Sequence, residues 1–522
     1  MSFKSSAGNS ALNLRVASLI VIALIVGLAA TLAFNSEAVA QETGKPGETV
    51  GLFLDRSGVL GSVTDNPSVV NRDNVFFDAH LGTNGQACVT CHQPNQGFSL
   101  TVPFIRERFT ATEGRDPLFR ANDTADRPDV DLSSFEDRRE AFRLMLSSGV
   151  IRIAKTLPTA PDFTIASQDT ARFGPLPNPN DLQNRTAPTL SLFRRPLATT
   201  NMRLDADLQW DGRHSIHNLR DQVQSTAQTL LLASNISETQ ADNIAAFMTS
   251  VFTAQDLDFR AGNLSEGGAQ GGAENLKILA TTANAPCVPM TDPAQSNTFV
   301  PAAVPGATAC VAINPLSPVG FNLFGAWENV SGFSKTRDAR MAIARGEKIF
   351  NERNMPIPGF PVNHCSSCHV TTNVGNFPLA GPPPQADFFV RLGLDSPDFL
   401  ARVAAEDPRI ERLVHGTKDL PVYSISGPAC ANSVLPDPAT GQPVTGTNMH
   451  TTDPGRALVT GHCADLGAFK PPILRGLAAR APFFHNGSAE TLDDVVNYYD
   501  AIFAAHLTQQ EHDDLVAFLR SL

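Results

Sequence analysis

Two short stretches of the 522-residue chain carry residues whose types and spacing can do chemistry: "CVTCH" (Cys88, Cys91, His92) and "CSSCH" (Cys365, Cys368, His369). In the C-x-x-C-H spacing two thiols can add to the two vinyl groups of one haem while the following histidine reaches the iron. Two such units predict two covalently attached c-type haems, with His92 and His369 as proximal ligands. The other four cysteines, Cys287, Cys310, Cys430 and Cys463, sit in loops rich in Pro, Thr, Gly and Asn. In an oxidising compartment they predict two disulfides, most simply Cys287–Cys310 and Cys430–Cys463, although other pairings are open.

These motifs must be held by helices, and the sequence suggests where. A helix-like segment precedes each unit, "SVVNRDNVFFDAHLG" and "RDARMAIARGEKIFNE". A helix with a clear start follows each one later: Ser237 with Gln240, and Thr508 with Glu511, are capping boxes. Apolar residues then recur at helical spacing, Ile244, Phe247, Met248 and Val251 in one and Leu515, Phe518, Leu519 and Leu522 in the other. The repetition predicts an all-α fold of two cytochrome c-like haem domains with long loop insertions. The expected boundaries are 41–255 for the first domain, 256–335 for a linker with a disulfide-containing insertion, and 336–522 for the second domain, interrupted by an insertion at 416–465.

Residues 1–40 read as an export signal: Lys4 and Arg15, a long apolar run, then Ala38-Val39-Ala40 at a cleavage-like site. The alternative is an uncleaved membrane anchor. Cleavage would take the net charge from −12 to −13, since Lys4, Arg15 and Glu37 leave with the signal. That acidity argues against a nucleic-acid partner and for soluble or basic-faced ones in a periplasm.

The stretches "FFDAHLGTNGQACVTCHQPNQGFS", "APTLSLFRRP…LQWDGR", "ARGEKIF…CSSCH" and "FKPPILRGLAARAPFFHNGSAETLDDVVNYYD" resemble the bacterial di-haem cytochrome c peroxidases, including the methylamine-utilisation branch. The resemblance implies that hydrogen peroxide reacts at the His92 haem and that the His369 haem exchanges electrons with a partner. Trp210 of "QWDGR" falls where the family relays charge between the haems. Gln222 matches the family's distal glutamine, but the glutamate expected ten residues later falls on Leu232, so the usual proton shuttle is missing. Gln222, Gln228, His214 or His217 could take its place, or peroxidase activity is weak or absent. The position of an inhibitory distal histidine in some members holds Arg108, which implies a first haem open to a small oxidant. The family's interdomain calcium is held by an Asn side chain and by carbonyls before "F-H-x-G". Here Thr186 and Arg480 stand at those places, and a cation beside a cation site disfavours calcium.

The family also places the sixth ligand of the second haem fourteen residues past the histidine of "F-H-x-G". Counting from His485 reaches Tyr499. The residues agree with that register: with Thr491 as N-cap, Leu492, Val495, Val496 and Tyr499 share one helical face and Tyr498 does not. A hard phenolate favours ferric and higher states, unlike a thioether. His485 would lie near the haem edge as a propionate or electron-path residue. Three functions follow: a di-haem peroxidase served by a small redox protein such as a cytochrome c or cupredoxin, a non-catalytic electron carrier, or an oxidase of a protein or organic substrate.

Overall fold

The computed structural model describes residues 49–69, 73–167, 170–173, 189–205, 207–281, 322–355, 364–369, 374, 389–432, 435–436, 443–444 and 448–522. The proposed signal at 1–40, Thr186 and the Cys287–Cys310 pair lie outside them.

The two capped helices form as their sequences indicate. In Glu238–Ser250 the Ser237 hydroxyl accepts from the Gln240 backbone N–H, and the Gln240 side chain accepts from the Ser237 N–H. Its buried face carries Ala241, Ile244, Phe247 and Met248, which pack with Phe76 and Phe98 at ring separations of 4.6 and 6.0 Å from Phe247. Cys88 and Val89 lean on this cluster, and Cys91 on a neighbouring one built from Leu100, Ile105 and Phe109. The first haem motif is therefore seated between two aromatic cores. Burying each such ring contributes about 1.5–3 kcal/mol.

In the second half Lys335–Glu352 crosses Gln509–Arg520, itself capped by Thr508 and Glu511. The crossing is close because residue 346 is glycine: a Cβ there would lie 2.0 Å from the Asp514 carbonyl oxygen. Phe350 and Phe518 meet at 5.3 Å, in a core that also takes Leu492, Val496, Leu515, Leu519 and Leu522.

The fold is not all-α. A four-stranded antiparallel sheet runs in the order Thr49–Leu54, Gly58–Thr64, Val251–Asp258, Gly262–Asn263. A three-stranded sheet joins Asn448–Thr451, Tyr423–Ser426 and Thr164–Ser167, and Ile151–Lys155 pairs with Leu190–Arg194. Val251 marks one point of departure. It was expected on the helical stripe, but its backbone is extended (φ −98°, ψ 128°), the helix stops at Ser250 and a strand begins. The run "VFTAQD" is rich in β-branched and aromatic residues, and it finds a partner at Gly58–Thr64 that a local reading does not see. Val251 remains fully buried in the same core.

The stretch 416–465 does structural work between the halves. Its strand Tyr423–Ser426 pairs residue by residue with Thr164–Ser167, and the Tyr423 hydroxyl donates to the Ser191 carbonyl at 2.7 Å. The Cys430–Cys463 disulfide closes within the same apolar cluster, which draws Leu157, Phe163 and Leu192 from the first half. Below it lies a buried ion network: Arg194 holds Asp453 through two nitrogens (2.6 and 2.8 Å) and Asp211 through a third (2.7 Å). Among the described residues no helix is long and apolar enough to cross a membrane.

Candidate functional site

One mostly apolar cavity gathers six of the residues singled out from the sequence: Trp210, Cys365, Cys368, His369, His485 and Tyr499. Cys365–Cys368 forms a single turn capped by His364, whose N–H bonds back to the Ser367 hydroxyl at 3.2 Å. Neither cysteine is in a disulfide, and burial raises both thiols to about 12. Burial likewise lowers His369 to about 4, so its imidazole is neutral and able to ligate. Its Nδ1 is buried without a hydrogen-bond partner. A free thiol pair, a neutral imidazole and an apolar chamber are the donor set and surroundings that a covalently held haem needs.

The helix Leu492–Phe503 supplies another part of the wall. Thr491 caps it through the Asp494 N–H, and Asp494 returns the bond to the Thr491 N–H. Leu492, Val495, Val496 and Tyr499 all line the cavity. Tyr498 points to another cluster, is fully buried and donates its hydroxyl to the Leu392 carbonyl. Burial raises the Tyr499 phenol, and the nearby Cys368 and Cys365 raise it further, so without a cation opposite it the hydroxyl keeps its proton.

His485 and Trp210 also line the cavity. The His485 ring stacks on Phe469 at 4.0 Å and meets Trp210 edge to face at 6.2 Å. Burial lowers His485 to about 4, and its Nε2 is buried without a hydrogen-bond partner. Trp210 is anchored three ways: its indole N–H donates to the Arg195 carbonyl at 2.9 Å, its own carbonyl accepts from the Lys470 N–H at 3.0 Å, and its neighbour Asp211 is fully buried in the ion network. Burial alone would raise Asp211, yet Arg194 and Arg213 hold it well below the usual carboxylate range. Lys470, almost wholly buried, pairs with Asp205 at 2.5 Å.

The first motif lies outside this cavity but adjoins it. His92 Nδ1 sits 3.0 Å from the Phe98 carbonyl, a contact that orients the ring and leaves Nε2 free to ligate a metal. The next residue, Ser99, and Leu197, whose carbonyl also approaches His92, are part of the cavity wall. Cys88, Cys91 and Gln222 do not line it. Gln222 lies on Leu219–Thr229 and donates from Nε2 to the Thr226 hydroxyl at 3.2 Å, while its Oε1 is buried without a partner. Leu232, where the resemblance places a glutamate, is 44% exposed with φ +53°. His214 pairs in a short strand with Leu208 and is pushed down by burial and by Arg213. Sequence reasoning missed Arg195, Phe469 and Lys470, though all three lie inside the quoted stretches "LFRRP" and "FKPPIL". Their only signal was proximity to a motif.

No protein-family model matches the chain. Cytochrome-c peroxidase IdrP1 of Denitromonas iodatirespirans is 37% identical over 81 residues, which cover 13% of this chain and 22% of that protein. Cytochrome c551 peroxidase of Nitrosomonas europaea is 39% identical over 69 residues, 13% of this chain and 21% of that protein. Cytochrome-c peroxidase IdrP1 of a Pseudomonas species is 35% identical over 81 residues, again 13% and 21%. The chain thus spans about a fifth of the length of the curated relatives it matches. Over that stretch it is similar in sequence to the bacterial cytochrome-c peroxidases, the family its motifs resemble.

Proposed function

We propose that the protein is an exported di-haem c-type cytochrome that reduces hydrogen peroxide with electrons from a small soluble redox protein. Cys88 and Cys91 would hold one haem and Cys365 and Cys368 the other, with His92 the residue that would ligate the first iron and His369 and Tyr499 the residues that would ligate the second. When bound, the haems supply reversible one-electron chemistry, so that peroxide, two electrons and two protons become two waters. The observation that carries this reading is the single chamber lined by a C-x-x-C pair, its histidine, Tyr499 and the Trp210–His485 aromatic pair.

The chain's own residues divide the work. Phe98 orients His92 through its carbonyl. Gln222, with a buried Oε1 lacking a partner, is the polar group available to orient peroxide at the first haem. Trp210, fixed by Arg195 and Lys470, lines the second chamber, and its indole is the group that would relay charge toward the first haem. The low-polarity wall around Tyr499 strengthens any bond its oxygen makes to a cation, and that cation would draw its proton off.

A second reading, an electron carrier without peroxidase turnover, is favoured by Leu232, an exposed leucine at the place of the expected acid–base group. Adding hydrogen peroxide to purified diferric and reduced protein, with optical and EPR detection and an electron-donor assay, separates the two. Turnover is the expected result. Two intact haems with neither turnover nor a new oxidised species would overturn the peroxidase reading in favour of the carrier.

A further inference from the structure

The calcium that the resemblance implies does not fit the residues present. Its carbonyl ligands would come from the stretch before "F-H-x-G", and in this chain those oxygens are occupied. The Arg195 guanidinium donates from Nε to the Pro482 carbonyl and from Nη2 to the Arg480 carbonyl, both at 3.2 Å. It also donates to the Gly149 carbonyl at 2.6 Å and to the Leu100 carbonyl. Four carbonyls, two from each half of the chain, thus converge on one buried cationic side chain. Arg480 adds a second: its guanidinium donates to the Ile473 carbonyl at 2.6 Å and the Gly476 carbonyl at 3.3 Å.

The space is shaped for these side chains. A Cβ at Gly149 would lie 2.3 Å from Arg195 Nη1, and one at Gly97 would lie 2.6 Å from Arg480 Cγ. Both glycines also have positive φ, +64° and +62°. Burial, and after it the nearby Arg480, lowers Arg195 to about 9, and burial lowers Arg480 to about 10. Both stay charged at neutral pH. Calcium needs six to eight oxygens at about 2.3–2.6 Å. Here two of its expected oxygens face N–H donors, and a further positive charge beside the buried guanidinium would be repelled by it.

We propose that Arg195 is the fixed cation of the seam between the two halves, occupying the carbonyl cluster that a metal ion would otherwise bind, and that the protein is consequently independent of calcium. The backbone of the same residue ties the seam to the aromatic pair, because its N–H donates to the His485 carbonyl at 2.6 Å and its carbonyl accepts from Trp210. Arg195 is a positioning residue for both.

The test uses the full haem-loaded chain. Metal analysis after purification in calcium-containing buffer, and thermal midpoints in EGTA and in millimolar calcium, should show substoichiometric calcium and equal midpoints. Haem optical spectra should be superimposable in the two buffers. Terbium luminescence should detect no tight site. One retained calcium per chain, or a midpoint several degrees higher in calcium, would overturn the proposal whatever the peroxidase assay gives. An Arg195→Lys variant should melt lower and alter the fluorescence of Trp210, since an ammonium has three donors for four carbonyls. If the variant does not fold, the wild-type metal analysis decides alone. Calcium indifference in a protein without turnover would leave this inference standing and sink only the peroxidase reading.

Discussion

Tyr498 and Tyr499 are adjacent, yet their surroundings ask different things of the same side chain. Tyr498 sits in a packed cluster with its hydroxyl committed to Leu392, while Tyr499 opens onto the chamber beside His369. Tyr498→Phe therefore strands a buried carbonyl and should cost about 1–3 kcal/mol of stability, read by urea unfolding, with the haem spectrum unchanged. Tyr499→Phe should cost little stability but convert the low-spin signal of the second haem in EPR. An unchanged low-spin signal in that variant would remove Tyr499 from the coordination sphere.

At the next scale, the crossing of Lys335–Glu352 and Gln509–Arg520 positions the second haem motif, because the first of these helices leads into it. Gly346→Ala would drive a methyl into the Asp514 carbonyl, and the helices would have to separate. The expected loss is about 1–3 kcal/mol, visible as a lower melting temperature in calorimetry. One turn of chemistry is added by its neighbour: Glu347 is buried, accepts from the Leu323 and Phe324 N–H groups, and is raised to about 7 chiefly by burial. Its folded value exceeds the ordinary one of about 4.3. The stabilisation from its bound proton is thus complete at acid pH and is lost as pH rises from about 4.3 through 7. Glu347→Gln should flatten the fall of the urea midpoint over that window, and an unaltered pH profile would show that Glu347 ionises normally.

For the molecule as a whole, the halves are joined by the three-stranded sheet, the apolar cluster around the Cys430–Cys463 disulfide and the Arg194 network. The disulfide closes a separation of 33 residues, for which loop entropy predicts about 3–4 kcal/mol. Replacing both cysteines by serine should lower the melting temperature while leaving both haems attached, which a haemochrome assay can count. Arg194→Met would leave Asp453 buried without its ion-pair partner and Asp211 with Arg213 alone, at a cost of about 3–5 kcal/mol near neutrality. In the wild type Asp211 is held below the ordinary value, so its contribution survives until pH falls well under about 3.9. In the variant Asp211 loses the largest of the charges that hold it down, and part of the lost stability should return as pH falls toward 5.

Local information was enough for features written in contiguous residues. C-x-x-C-H spacing, the capping boxes at Ser237, Thr491 and Thr508, and the stripe that places Tyr499 rather than Tyr498 on the chamber face all depend on residues a few positions apart. The sheets, by contrast, were hidden: Thr164–Ser167 meets Tyr423–Ser426 across more than 250 residues, and Val251 becomes extended because Gly58–Thr64 offers hydrogen bonds that a continued helix would forgo. The same holds for Arg195. In sequence it is one of two adjacent arginines; only the fold brings Leu100, Gly149, Arg480 and Pro482 together, and a buried guanidinium persists there because those four carbonyls replace the water it gave up.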